Sequence, residues 1–93
     1  MTSENTFRFT ISYDNPEYEQ SLRQLNKTQL QDLSNKIVSL KQDPFIISKQ
    51  LHHPYQGKHR VKINGNQFRL IITINLHSHV VKLWYVHSRS NVY

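Results

Sequence analysis

Near the start of the chain, polar residues alternate with four hydrophobic residues that would form one buried face: Phe7, Phe9, Ile11 and Tyr13. A period of two is typical of a strand with one buried face, so we predict the first strand here. Asn15 and Pro16 then supply an N-cap side chain and a residue suited to the first helical position. A short helix should follow. Its buried side would carry Tyr18, Leu22 and Leu25.

A second helical pattern begins a few residues later. Thr28 and Gln31 have the spacing of a capping box, and Asp43-Pro44 is a signal that ends a helix. Apolar residues at helical spacing would form one buried face: Leu30, Leu33, Ile37 and Leu40. Because the connection between the two patterns is short, we expect an antiparallel helical hairpin.

The rest of the chain returns to a period of two. Residues 58–63 and 67–74 alternate, and Asn64-Gly65-Asn66 between them is a tight-turn signal, so this region predicts a hairpin. Residues 75–78 turn the chain into a last strand, Val80 to Val86. The pattern predicts one α+β domain over residues 1–93, with a helical hairpin on one face of a small, mainly antiparallel sheet. The order of its elements would be β-α-α-β-β-β.

Strand alternation separates apolar from basic side chains in this sheet. One face would carry apolar residues toward the helices: Val61, Ile63, Phe68, Leu70 and Ile72. Arg60, Lys62 and Arg69 then point together to the opposite, open face. Trp84 and Tyr85 are neighbours in the last strand, so we expect one of them in the core and the other on the open face.

Positive charge is concentrated in the same half of the chain. The net charge is +6, and no acidic residue follows Asp43, although seven Lys and Arg residues and all six histidines do. An ordinary solvated sheet face would explain single cations, but it does not explain why no carboxylate lies among them. A concentrated positive field favours a polyanionic partner, most often nucleic acid.

Several classes of protein are disfavoured by what the sequence lacks. Without cysteine there are no disulfides and no thiolate chemistry. The histidines match no common closed metal site, and acidic ligands are missing around them, so we predict no metal or other cofactor. The first residues lack the regions of a signal peptide, and no apolar run is long enough to span a membrane. We therefore expect a cytoplasmic protein with no membrane partner.

The end of the chain is a second candidate for chemistry. His87, Arg89 and Tyr93 bring an imidazole, a guanidinium and a phenol within seven residues after a buried strand. His87 could protonate a leaving oxygen, Arg89 could neutralise a developing phosphorane, and Tyr93 could stack on a base. The alternative is that Tyr93 only packs on the edge of the domain and that His87 is a solvent-facing turn residue.

Five segments together resemble the RelE/ParE superfamily of bacterial and archaeal toxins. They are Leu51 to Gly57, His59 to Ile63, Gln67 to Ile71, Val80 to Leu83 and Arg89 to Tyr93. The resemblance spans nearly the whole chain, and the predicted order of elements agrees with a RelE-like microbial RNase fold. It implies one of two activities. RelE members are ribosome-dependent endoribonucleases that cleave messenger RNA in the decoding site, whereas ParE members poison DNA gyrase.

The resemblance implies an active surface that matches the RelE branch of toxins. A basic residue, a lysine, an arginine and a tyrosine are expected at the positions of Arg60, Lys62, Arg69 and Tyr93, and all four are present. The departure is at His87, where the RelE pattern carries arginine as the acid, so the acid could be His87 or Arg89. Further candidate RNA contacts are His52, Lys58 and Lys82.

The implied chemistry is attack of a ribose 2′-hydroxyl on the adjacent phosphate, which gives a 2′,3′-cyclic phosphate and a 5′-hydroxyl without a metal. Lys62 would be the base, since the cations of Arg60 and Arg69 favour its neutral form while they hold the phosphate. His87 is the preferred acid.

The resemblance also implies partners and leaves two other functions open. The partners would be messenger RNA in the ribosomal decoding site and a cognate antitoxin that holds the toxin inactive, with a heterotetramer as one assembly the two could form. The first alternative is a ParE-like toxin that poisons DNA gyrase and has no nuclease activity. The second is a catalytically degenerate relative that only binds RNA.

Overall fold

The computed structural model of the chain describes residues 8–52 and 56–88. In chain order, the helices and strands of these ranges are β1 (Thr10–Ser12), α1 (Pro16–Ser21), α2 (Lys27–Gln42), β2 (Ser48–Gln50), β3 (His59–Ile63), β4 (Phe68–Asn75) and β5 (Val80–Ser88). The predicted α+β class and the predicted order of elements are confirmed. Strand β2 is an addition that the sequence pattern did not predict.

The strands form one mixed sheet in the order β1-β5-β4-β3-β2. The pairing of β1 with β5 is parallel, and the other three pairings are antiparallel, so the sheet is mainly antiparallel as expected. Strands β1 and β2 are consecutive but lie at opposite edges. The two helices between them therefore cross one face of the sheet, with α1 against β5 and α2 against β1 and β3.

Strand β1 is shorter than the alternating pattern predicted. The backbone N–H groups of Arg8 and Phe9 both donate to the carbonyl oxygen of Lys41, at 3.0 and 2.9 Å. These hydrogen bonds turn that segment toward the end of α2 and away from the sheet. Tyr13, predicted on the buried face, is 47% exposed because the chain has already left the strand. Phe7 lies outside the described residues.

The capping box of α2 is formed by Asn26 and Gln29, and the predicted box of Thr28 and Gln31 is wrong. Gln29 N donates to Asn26 Oδ1 and Asn26 N donates to Gln29 Oε1, each at 2.9 Å. The same spacing thus occurs twice, two residues apart. Asparagine is the stronger N-cap residue, so the helix begins at Lys27.

The core lies between the helices and the face of the sheet that they cover. Its buried residues from the helical region are Tyr18, Leu25, Leu33, Ile37 and Leu40, and from β3, β4 and β5 they are Val61, Ile63, Leu70, Ile72, Val81, Leu83 and Val86. Phe68 is partly buried against this cluster, which confirms the predicted apolar face. Leu30 was expected in the core but is 38% exposed, because it lines a groove beside α1 rather than the sheet.

A β-bulge in β5 overturns the expectation that Trp84 and Tyr85 point to opposite faces. Tyr85 pairs with Ile71 and Leu83 pairs with the next residue, Ile72, so Trp84 is an extra residue in β5. A bulge of this kind reverses the alternation locally. Leu83 and Val86 can therefore both enter the core, and neither Trp84 nor Tyr85 belongs to it.

Within residues 8–52 and 56–88, neither α1 nor α2 is long and apolar enough to cross a bilayer.

Candidate nucleic-acid interface

The face of the sheet opposite the helices carries a group of cations, which we call the basic face. Its members are Lys49, Lys58, Arg60, Lys62, Arg69 and Lys82. All six follow Asp43, and the chain contains no Asp or Glu after that residue. No carboxylate of these strands can therefore offset the repulsion between the cations, and the basic face keeps a strong positive potential.

Three predicted catalytic residues form a row across the basic face. Lys62 of β3 is paired with Arg69 of β4, and Arg69 is paired with His87 of β5. Directly paired residues of antiparallel strands have Cα atoms about 4.5 to 5.5 Å apart, so the row spans about 10 Å. Lys62 is exposed, whereas Arg69 and His87 are partly buried. The structure thus brings a lysine, an arginine and a histidine to one place.

Arg60 lies in the neighbouring row of the same face. It is paired with Ile71 of β4 and with Lys49 of β2, and Ile71 is paired with Tyr85. Arg60 precedes Lys62 by two residues on β3, which places their Cα atoms about 7 Å apart. Ile71 is fully buried, so it forms an apolar floor under the cations. Lys49 was missed by the sequence reasoning because β2 was not predicted.

A third row contains the two lysines that were predicted to contact RNA. Lys82 is paired with Thr73, and the side chain of Trp84 donates from Nε1 to Thr73 Oγ1 at 3.0 Å. The Nζ atoms of Lys82 and Lys58 lie 4.3 and 5.1 Å from the centroid of the Trp84 ring. The bulge at Trp84 therefore brings an aromatic ring next to two cations.

The turn between β3 and β4 is held in place by α2. Asp32 Oδ2 accepts a hydrogen bond from Asn64 N at 2.6 Å and an ion-paired hydrogen bond from Lys36 Nζ at 3.0 Å. The hydrogen bond from the Asn64 N–H is the largest cause that holds the pKa of the Asp32 carboxyl below its ordinary value. Burial opposes this shift, and the Lys36 ammonium adds to it. In the same turn, Asn66 Oδ1 accepts from Arg69 Nε at 3.4 Å. Helix α2 thereby fixes the turn that orients Arg69.

The imidazole of His87 is turned toward the protein. Its Nδ1 atom lies 2.9 Å from the carbonyl oxygen of Ser88, its ring centroid lies 5.7 Å from that of Tyr85, and its Nε2 atom is buried. A tautomer with the proton on Nδ1 would donate to the Ser88 carbonyl. For His87 to protonate a leaving oxygen, the ring would have to rotate outward.

The remaining predicted catalytic and auxiliary residues are His52, Arg89 and Tyr93. His52 is exposed in the segment that follows β2, and Arg89 and Tyr93 lie outside the described residues. His59 points to the core side, where its ring centroid is 6.1 Å from that of Phe45 and burial lowers its pKa. Over residues 8–52 and 56–88, His, Cys, Asp and Glu side chains form no group of three that could hold a metal ion.

Comparison with solved structures identifies the fold. The chain resembles a chain of the RelBE2 toxin–antitoxin complex of Mycobacterium tuberculosis with a TM-score of 0.76, at 18% identity over 88% of this chain and 99% of that one. It also resembles a chain of the archaeal RelE–RelB complex of Pyrococcus horikoshii OT3 with a TM-score of 0.63, at 16% identity over 95% of this chain and 100% of that one. No protein-family model matches the chain, and no curated protein matches its sequence. The predicted RelE-like fold is confirmed.

Proposed function

We propose that this chain, which has the fold of the RelE toxins, is the toxin of a type II toxin–antitoxin system and cleaves messenger RNA on the ribosome. The observation that carries the proposal is the row of Lys62, Arg69 and His87 beside Arg60, on strands that contain no Asp or Glu. The resemblance to RelE toxins implies that the active surface lies at these positions. The likeness in fold to chains of two toxin–antitoxin complexes supports the same reading.

In the proposed reaction, a ribose 2′-hydroxyl attacks the adjacent phosphorus and the bond to the 5′-oxygen of the next nucleotide breaks. Lys62, in its neutral form, accepts the proton of the 2′-hydroxyl. Arg60 and Arg69 donate hydrogen bonds to the non-bridging phosphate oxygens, where negative charge increases in the transition state. His87 or Arg89 gives a proton to the departing 5′-oxygen. The products are a 2′,3′-cyclic phosphate and a 5′-hydroxyl.

The openness of the basic face explains why the ribosome would be needed. Lys62 is exposed, and the strands that carry the row contain no Asp or Glu that could act as a stronger base. A site whose base is exposed to solvent cannot by itself hold a flexible strand with its 2′-hydroxyl in line with the phosphate. Positioning of this kind can supply a large part of a rate enhancement, about 7 to 11 kcal/mol in favourable cases. The ribosomal decoding site would supply that constraint.

An antitoxin is the second proposed partner. A protein that places carboxylates against Arg60, Lys62 or Arg69 would occupy the phosphate positions and would relieve the repulsion between the cations. Such a partner should be acidic and should fold on the toxin as a helix or strand. The two solved structures compared above are the toxin–antitoxin complex RelBE2 and a RelE–RelB complex.

The proposal is tested by mapping messenger RNA ends in cells by primer extension after a brief induction of the protein. New 5′ ends should arise inside translated codons within minutes, and they should be absent from untranslated regions of the same messages. DNA should be assayed in parallel for gyrase-dependent breaks. Such breaks without messenger cleavage would replace the proposal with gyrase poisoning. RNA binding without any new ends would identify a catalytically degenerate relative.

A further inference from the structure

We propose that Trp84, together with Lys58 and Lys82, forms a separate subsite on the basic face that binds an unpaired base of single-stranded RNA. This inference rests on the proposed function, because the RNA strand that it holds is the one that the row of Lys62, Arg69 and His87 would cleave. It assigns a binding role to Trp84. Lys58 and Lys82 would contact the phosphates on either side of the bound base.

The position of Trp84 is set by the β-bulge. The extra residue in β5 directs the indole to the basic face, and the hydrogen bond from Nε1 to Thr73 Oγ1 holds the edge of the ring over β4. That bond satisfies the indole N–H, which is the ring's polar hydrogen-bonding group. The ring is partly exposed. The interaction that remains available to it is contact with its π surface.

Two cations lie over the ring of Trp84. The Nζ atoms of Lys82 and Lys58 are 4.3 and 5.1 Å from its centroid. Cation–π contacts at exposed sites are weak, and lysine side chains are flexible. A base can displace the two ammonium groups from the ring, and they can then bind its phosphates. A ring on which bases stack, set within a positively charged groove, is typical of single-strand binding proteins.

The subsite lies within reach of the strand that the catalytic row would hold. Thr73, beneath Trp84, follows Arg69 by four residues on β4, which corresponds to about 13 Å at 3.3 Å per residue. A stacked strand rises about 3.4 Å per nucleotide and an unstacked one more, so about two to four nucleotides separate the two places. A base held at Trp84 would therefore fix which phosphate meets Arg69.

The test uses the natural fluorescence of the protein, because Trp84 is its single tryptophan. The probe is an eight-nucleotide oligoadenylate at low salt, and its matched control is an abasic ribose-phosphate chain of the same length. Oligoadenylate should quench the Trp84 fluorescence by stacking, and the abasic chain should leave most of it. Stacking on an aromatic ring typically strengthens binding by roughly 5- to 100-fold, so the protein should prefer oligoadenylate over the abasic chain by that factor.

Variants show whether Trp84 itself causes the preference, with binding followed by the anisotropy of labelled probes. Trp84→Leu should bind both probes alike, whereas Trp84→Phe should keep part of the preference because it keeps a ring. Arg69→Ala serves as the matched control, since it should weaken both probes by the same factor and leave the quenching in place. Melting curves confirm that each variant is folded.

Two results would refute the proposed subsite. One is equal binding of both probes by the unaltered protein, which includes the case in which neither probe binds. The other is binding of oligoadenylate without quenching of the Trp84 fluorescence. Neither result depends on the ribosome, so the proposed function is judged separately. A protein that cleaves messenger RNA but shows no preference for bases retains its function and lacks the subsite. A protein that shows the preference but cleaves nothing retains the subsite and lacks the function.

Discussion

Asp32 connects α2 to the turn beside the candidate site, and its removal should lower the free energy of unfolding. Its Oδ2 atom accepts hydrogen bonds from the backbone N–H of Asn64 at 2.6 Å and from Lys36 Nζ at 3.0 Å. Asn64 begins the turn whose Asn66 contacts Arg69. In Asp32→Ala, the N–H of Asn64 loses its acceptor and the turn loses its attachment to α2. We therefore expect a less stable domain with a less ordered Arg69.

The expected loss of stability in Asp32→Ala follows from the two contacts of the Asp32 carboxylate. A hydrogen bond to a charged group contributes about 1.5 to 3 kcal/mol, whereas an exposed ion pair four residues apart on a helix contributes about 0.3 to 0.5 kcal/mol. The Asp32 side chain is 28% exposed, and this partial solvation reduces the first value. We expect a loss of about 1 to 2 kcal/mol for Asp32→Ala, which lowers the melting temperature of a domain this size by roughly 4 to 16 °C.

The stability that Asp32 contributes should decrease as the pH falls. The Asn64 hydrogen bond, followed by Lys36, lowers the pKa of Asp32 in the folded state, while the unfolded chain has a pKa of about 3.9. A group with a lowered folded pKa contributes its full stability above the unfolded pKa and loses it as the pH falls through the folded value. The gap between the unaltered protein and Asp32→Ala should thus be constant near pH 7 and should shrink below pH 4.

The assay is urea unfolding followed by circular dichroism, at pH 7 and at points down to pH 3. Lys36→Met is the matched control, since it removes the ion pair but keeps the backbone contact, and it should cost at most about 0.5 kcal/mol. Equal losses in the two variants would show that the backbone contact contributes little. A gap that persists unchanged at pH 3 would refute the assignment of the effect to the ionised carboxylate.

Three further predictions concern the basic face and its partners. Arg69→Ala should abolish growth inhibition in a folded protein. The control Arg23→Ala, an equal change of charge on the exposed 3₁₀ turn after α1, should leave growth inhibition intact. Undiminished toxicity of Arg69→Ala would show that this residue is not part of the site. Binding to RNA or ribosomes should weaken steeply as salt rises, because several phosphate contacts release counterions, and a flat response would favour a protein target. Co-expression with the adjacent reading frame should rescue growth and raise the melting temperature of the purified complex, and failure of both would remove the main support for an antitoxin.

The parts of the fold that could be predicted are those set by local patterns. The alternation of side chains in β3 and β4 can be recognised from neighbouring residues alone. It correctly placed Val61 and Leu70 in the core and Arg60, Lys62 and Arg69 on the other face. The order of elements along the chain followed from the same kind of pattern. The roles of these cations in catalysis remain a prediction.

The parts that could not be predicted depend on distant partners. Strand β2, Ser48–Gln50, has no apolar residue and exists because it pairs with β3 at the edge of the sheet. The bulge at Trp84 depends on how β5 aligns with β4, which no pattern within β5 reveals. The cap of α2 was misplaced because two boxes of equal spacing overlap, and hydrogen bonding selects the one that begins at Asn26.

The central claim is tested most directly by the chemistry of the cleaved ends. Purified protein should be incubated with a defined messenger RNA, free and bound to ribosomes, and the fragments analysed by mass. The account predicts cleavage on ribosomes that leaves a 2′,3′-cyclic phosphate and a 5′-hydroxyl, slowed about 100- to 1000-fold in Arg69→Ala, as for loss of one group that stabilises a developing charge. Fragments with 5′-phosphates, or a rate that Arg69→Ala does not change, would contradict it.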